Sequence, residues 1–217
     1  MKRILIFITL CGLSMSAFAQ QKGDMYMSLG LGLSCGNSKT TNTTDGNSTT
    51  TKTPGAISFN IDPEFGYFIA DNWQASLALS YNRTRSHIGN IESTNLYSFT
   101  NQFGITPGIN YFIKLTDRFY YTPGAYLSLV FGGSSRQTDV NKTEKGPKST
   151  VFALGVEVAK FEFRAGERYA FTLSLGDICY RTTSTKNSET SKSVSNEFDI
   201  TLDAASFGSS IGFKYYF

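Results

Sequence analysis

The chain closes on "SSIGFKYYF", residues 209–217. Counting back by twos from Phe217 gives Tyr215, Phe213, Ile211 and Ser209, while Tyr216, Lys214, Gly212 and Ser210 lie between. This is the period of a β-strand, with one apolar face and one small or polar face. A strand of a soluble protein could alternate in the same way, so the rest of the chain must decide.

The same alternation recurs in seven earlier segments, roughly 24–36, 55–69, 73–84, 96–113, 118–132, 151–164 and 168–181. In the first, Leu29, Leu31 and Leu33 oppose Gly30, Gly32 and Ser34; in the third, Leu77, Leu79 and Tyr81 oppose Ser76, Ser80 and Asn82. The sixth slips phase near Lys160, where Phe161 and Phe163 carry the other parity, as a bulge would cause. The terminal segment begins as early as Glu197, with an irregularity expected around 203–206.

The connections alternate in length. "ADN" (70–72), "LTD" (115–117) and "AGE" (165–167) read as tight turns, whereas 37–54, 85–95, 133–150 and 182–196 read as long polar loops. The stretch "NSKTTNTTDGNSTTTKTP" (37–54) predicts a mobile, solvated loop. Short turns at one end and long loops at the other are the pattern of a transmembrane β-barrel.

Composition agrees. Charged residues are 17 % of the chain, against roughly 25 % in ordinary soluble domains. The face opposite the apolar one is Gly, Ser, Ala, Thr and Asn. It makes a poor solvent-facing exterior for a soluble barrel and suits the crowded lumen of a narrow one. Aromatics gather near the short turns (Tyr67, Trp73, Tyr111, Tyr215) and again near the long loops (Tyr81, Tyr97, Phe131, Tyr180), as two interfacial girdles would. The expected fold is all-β: an eight-stranded antiparallel up-and-down transmembrane barrel with short periplasmic turns, long extracellular loops and both termini in the periplasm.

At the start, Lys2 and Arg3, the apolar run "ILIFITLCGL" (4–13) and "AFA" (17–19) read as a cleavable signal peptide over residues 1–19, followed by the barrel domain over 20–217. A lipid attached at Cys11 is disfavoured by Leu10, where a small residue is expected. The formal net charge of +3 includes Lys2 and Arg3, so the mature chain is nearly neutral and gives no reason to expect nucleic acid. Cys35 and Cys179 fall on strands that are not neighbours in this order, so two unpaired cysteines are expected.

"PEFGYFIADNW" (63–73), "PGINYFI" (107–113) and "GFKYYF" (212–217), together with the leader, resemble the small outer-membrane β-barrel proteins labelled porin-family or outer membrane protein β-barrel domain. The resemblance spans essentially the whole mature chain. It implies residence in the outer membrane of a Gram-negative bacterium. It also implies that Phe213, Tyr215 and Phe217 form a signal read by the barrel-insertion machinery. A simpler role, anchoring in the inner girdle, is compatible with that.

Eight strands leave a lumen that side chains can fill, so a wide aqueous channel is not expected. The inward charges are Asp62, Glu64, Glu157 and Lys214. Glu64 and Lys214 flank the first strand in a closed barrel and are candidates for a lumen ion pair; otherwise each is separately wet. The single histidine, His87, is placed in a loop, and its neighbour Ser86 points the other way, so with Glu92 they make a poor triad. No metal-ligand spacing and no phosphate-binding loop occurs. No catalytic, cofactor-binding or metal residue is therefore assigned. Arg83, Arg85, Arg136 and Arg181 lie where strands leave the membrane towards the long loops. They are candidates for gripping the phosphates of lipopolysaccharide, or for simple snorkelling. The leading functional expectation is a non-enzymatic surface protein acting through its loops, in display or adhesion. A narrow channel for small solutes and a lipid-modifying enzyme are the alternatives.

Overall fold

The computed structural model describes residues 22–44, 47–91, 94–187, 191–202 and 211–217. The expected signal peptide, the irregularity at 203–206 and Glu92 lie outside these residues. What is described is all β. The strands are β1 (Met25–Thr44), β2 (Asn47–Ala70), β3 (Trp73–Ile91), β4 (Thr94–Tyr111), β5 (Ile113–Lys114), β6 (Phe119–Tyr121) and β7 (Gly124–Asp139). They continue with β8 (Lys142–Glu157), β9 (Lys160–Arg164), β10 (Tyr169–Ser174), β11 (Gly176–Lys186), β12 (Lys192–Leu202) and β13 (Ile211–Tyr216). All join one strongly curled antiparallel sheet in the order β12-β11-β8-β7-β4-β3-β2-β1-β13-β10-β9-β6-β5.

The C-terminal strand returns to the first: β13 pairs with β1 through Tyr26↔Tyr216, Met27↔Tyr215 and Ser28↔Lys214. At one end of the sheet the connections are short, across Asp71–Asn72, residues 115–118 and residues 165–168. Asn72 takes a left-handed conformation (φ 63°), which asparagine tolerates in a turn, and its carbonyl accepts the Phe112 N–H at 2.8 Å.

At the other end the described residues of the expected long loops are strands. The β1–β2 ladder runs out to Thr44↔Asn47, β3–β4 to Ile91↔Thr94, β7–β8 to Asp139↔Lys142 and β11–β12 to Lys186↔Lys192. Threonine is β-branched and favours the strand without needing an apolar face. Its hydroxyls also pair across the ladder, Thr41 with Thr50 at 3.0 Å and Thr43 with Ser48 at 2.8 Å. Residues 37–44 and 47–54 are thus the two strands of a polar arm.

The apolar face points outward along every strand. Leu31, Leu33, Leu77, Phe103, Leu154 and Phe171 are all exposed. On β3 the outward run from Trp73 to Tyr81 spans ~26 Å along the strand, or about 20 Å of height at a 35–45° tilt. That approximates the apolar band of an outer-membrane barrel.

The phase slip near Lys160 is real: β8 ends at Glu157, β9 begins at Lys160, and outward parity passes from Val156 to Phe161 and Phe163. A second slip faces it on the adjoining strand, between β10 and β11 at Leu175. The Val158 and Ala159 N–H groups donate to the Gly176 carbonyl (3.2 Å each), and the Leu175 N–H donates to the Ala159 carbonyl (2.8 Å). Two neighbouring strands that change parity together keep their cross-strand pairing.

Candidate functional site: the filled end of the lumen

Inward side chains near the short turns are not merely small and polar. Tyr26, Phe68, Phe112, Tyr120, Ala170 and Tyr216 form a buried cluster. Phe68 lies against Phe112 (centroids 5.1 Å apart) and Tyr26 against Tyr216 (5.6 Å). Into this cluster are set Gln74, Glu162, Arg164 and Lys214, all buried; Glu162 is 0 % exposed and Lys214 4 %.

Glu162 is the hub. Lys214 Nζ lies 3.1 Å from its Oε2, Arg164 Nε 3.1 Å from its Oε1, and the Tyr216 hydroxyl donates to the carboxylate at 2.7 Å. Lys214 also donates to Gln74 Oε1 at 3.3 Å and sits 4.2 Å from the centre of the Tyr26 ring. The Arg164 guanidinium stacks 4.3 Å from Tyr216. One carboxylate is shared by two cations whose remaining faces are covered by aromatic rings, an arrangement in which each buried charge has a partner. Register builds it: Ala170 pairs with both Lys214 and Arg164, and its small side chain leaves room for these long ones to meet above β10.

The expected partner of Lys214 was Glu64. Both residues do stand opposite Ser28 of β1. Glu64, however, accepts the hydroxyl of Tyr26, and the ion pair of Lys214 is with Glu162.

On the hairpin side of this cluster the lumen opens into a cavity of about 280 Å³ lined by Glu64, Asn110, Tyr126, Glu157, Lys160 and Asp177 among others. Lys160 pairs with Glu157 (2.6 Å) and Tyr126 donates to Asp177 (2.8 Å). Asp62, Glu64, Glu157 and Lys214 are the inward charges anticipated; Lys160, Asp177, Glu162 and Arg164 are not among them, because their inward direction depends on the parity changes.

The four rim arginines do not form one ring. Arg83 and Arg85 are on the outward face of β3, opposite Asn101 and Phe99. Arg136 stands opposite Ser98 and Glu144, on the other face of the sheet from Phe99. Arg181 is on the inward parity of β11 and reaches Glu197 (3.7 Å) and Asp199 (3.9 Å). His87 is on β3 rather than in a loop; its Nε2 is 2.7 Å from Asn90 Oδ1 and its ring packs edge-on against Tyr97. Cys35 is free and exposed, Cys179 free and buried. Among the described residues no group of His, Cys, Asp and Glu side chains could hold a metal ion.

Phe213, Tyr215 and Phe217 come together with Tyr169 and Phe65 on the outer surface. Tyr169 lies 5.8 Å from Phe213 and 5.5 Å from Tyr215, and Phe217 lies 6.4 Å from Phe65.

Residues 5–217 match the family described as Outer membrane protein beta-barrel domain. The chain belongs to that family. It is accordingly a transmembrane β-barrel protein of the outer membrane, of Gram-negative type. A comparison with curated protein sequences returns no match. Among solved structures, the family member is similar to Ail, the attachment invasion locus protein of Yersinia pestis. The two share 16 % identity over 91 % of this chain and 100 % of that one, at a TM-score of 0.44. It is similar to the outer membrane protein OprG of Pseudomonas aeruginosa at 16 % identity over 93 % and 99 %, TM-score 0.44. The translocator domain of the autotransporter NalP of Neisseria meningitidis matches at 12 % over 91 % of this chain and 65 % of that one, TM-score 0.39.

Proposed function

We propose that this family member is a closed eight-stranded barrel that does not conduct, is not an enzyme, and acts at the cell surface through its four projecting hairpins. Eight strands follow if the pairs β4/β5, β6/β7, β8/β9, β10/β11 and β12/β13 are each one strand crossed by an interruption. Shared neighbours support this: β8 and β9 both pair between the two halves of the strand before and the two halves of the strand after. The start of β1 and the end of β13 then lie at the turn end, on the periplasmic side.

The observation that carries the non-conducting reading is the complete burial of Glu162 among Lys214, Arg164 and Tyr216 at the turn end of the lumen. A through-channel would have to wet these charges. Against an enzyme, Ser86 and His87 alternate to opposite faces of β3, and His87 faces outward against Tyr97. The hairpins carry Ser, Thr, Asn and Lys beyond the apolar band, which suits contact with polar partners outside the cell.

Single-channel recording in a planar bilayer tests this, on protein whose heat-dependent gel mobility shows a folded barrel. Silence is expected. Steady current steps from the folded protein would replace the sealed reading with a narrow channel, which the carboxylate-lined cavity would make cation-selective.

A further inference from the structure

On β3 the outward face changes character abruptly. Leu77, Leu79 and Tyr81 are followed, still on the outward parity, by Arg83, Arg85 and His87. At about 3.3 Å per residue and a tilt near 40°, Arg83 and Arg85 stand ~5 and ~10 Å above Tyr81. That is the height at which a lipid leaflet turns from acyl chain to phosphate.

The two guanidiniums are held, not loose. Arg85 lies 4.1 Å from the centre of the Tyr97 ring and Arg83 5.7 Å from that of Phe99, both from β4. Arg85 Nε is buried with no hydrogen-bond partner. Among the described residues neither arginine has a carboxylate within salt-bridge distance, whereas Arg164 and Arg181 both do. Long cationic side chains that only snorkel would be free to turn into water. Here Arg85 is seated over the Tyr97 ring and Arg83 lies beside the Phe99 ring, side by side on one strand, a spacing at which two forks can grip one phosphate.

We infer that Arg83 and Arg85, oriented by Phe99 and Tyr97, form a binding site on the outer face of β3–β4 for a phosphate group of an outer-leaflet glycolipid. The inference rests on outer-membrane residence and on the outward orientation of the hairpins proposed above, and not on the sealed lumen. Arg136 and Arg181 take no part, since they are on the opposite parity and face carboxylates of their own hairpins.

The test uses the intact protein extracted in mild detergent, with binding of bisphosphorylated lipid A and of dephosphorylated lipid A measured in mixed micelles. Folding of each variant is checked by heat-dependent mobility. Wild type should prefer the phosphorylated lipid, and Arg83→Gln with Arg85→Gln should lower that affinity by about tenfold or more, as expected for two lost charge-assisted contacts. Arg83→Lys with Arg85→Lys should fall between, because it keeps charge but loses the fork. Arg181→Gln, which removes a single charge from a paired arginine, should change nothing. Unchanged binding in the double Gln variant overturns the site, as does an equal loss in Arg181→Gln. Displacement by millimolar inorganic phosphate would assign the site to free anion and overturn the lipid. Conductance is read separately, so failure here and failure of the sealed barrel are distinguishable.

Discussion

Lys214 and Glu162 meet across an intervening strand, 3.1 Å apart and both buried, with Ala170 of β10 beneath them. Removing one charge of such a pair leaves the other without compensation, which in buried sites costs about 3–5 kcal/mol. Glu162→Gln should therefore lower unfolding stability in lipid by that order. Glu162→Gln combined with Lys214→Met should recover part of the loss, since Arg164 remains. A double-mutant cycle from urea titrations measures the coupling. Additive losses would mean that the two side chains do not act as a unit.

Gly66 stands opposite Tyr26, whose ring lies directly over it: a Cβ on residue 66 would fall 1.7 Å from Tyr26 Cε1. No small shift relieves that contact, because Tyr26 is itself packed against Tyr216 and bonded to Glu64. Gly66→Ala should destabilise by about 1–3 kcal/mol, the usual range for overpacking. Gly133→Ala, where nothing lies within 4 Å, should be near neutral. Equal effects at both positions, read by the same titration, would show that backbone entropy and not the ring decides.

Leu77 is exposed at the middle of the outward run from Trp73 to Tyr81. Leu77→Arg should cost about 2–4 kcal/mol in a bilayer, the value for a cation at the midplane of a barrel wall. Its neighbour Ala78 lines the lumen cavity, so Ala78→Ser should be tolerated. A Leu77→Arg variant as stable as wild type in lipid would displace the apolar band from this height.

The cysteines report sidedness. Cys35 is level with Ile57 and, through it, with Arg85, above the apolar band. Cys179 is 3 % exposed inside the sheet. A membrane-impermeant maleimide added to intact cells should label Cys35 quickly and Cys179 only after unfolding. Labelling of Cys35 only in broken cells would invert the barrel.

Direction was legible where an apolar face exists, because alternation with period two states it residue by residue. The outward course of β1, β3 and β4 follows directly from Leu29 to Leu33, Trp73 to Tyr81 and Phe103 to Tyr111. Glu162 was legible in principle. Once Phe161 and Phe163 are outward, Lys160, Glu162 and Arg164 must be inward, and a phase slip has to be carried through to the neighbours of the aromatics that reveal it. The second slip at Leu175 left a fainter mark, in the even parity of Ile178 and Tyr180 after the odd parity of Phe171 and Leu173. The projecting arms left none: a two-stranded arm buries neither face, so Thr40 to Thr51 reads equally as loop. Nor does register choose between Glu64 and Glu162 as the partner of Lys214. That choice falls to Tyr26, which occupies Glu64 from the strand between.

The terminal aromatics allow two roles to be separated. Phe217 is half-exposed, 6.4 Å from both Phe65 and Tyr215, and its N–H donates to the Met25 carbonyl at 3.0 Å. The backbone bond survives any side-chain change, and exposed ring contacts of this kind are worth about 0.5–1.5 kcal/mol. Phe217→Ser should thus cost no more than that when purified protein is unfolded and refolded in lipid. If Phe213, Tyr215 and Phe217 are also what the insertion machinery reads, the same substitution should lower the amount of folded barrel in the outer membrane severalfold, beyond what so small a stability loss explains. Tyr169→Ser removes ring contacts on the same patch, to Phe213 and Tyr215, from a strand that is not terminal. It should match Phe217→Ser in the refolding assay and leave the cellular yield nearly intact. Parallel losses of yield in both variants would reduce Phe217 to an anchor in the inner aromatic girdle.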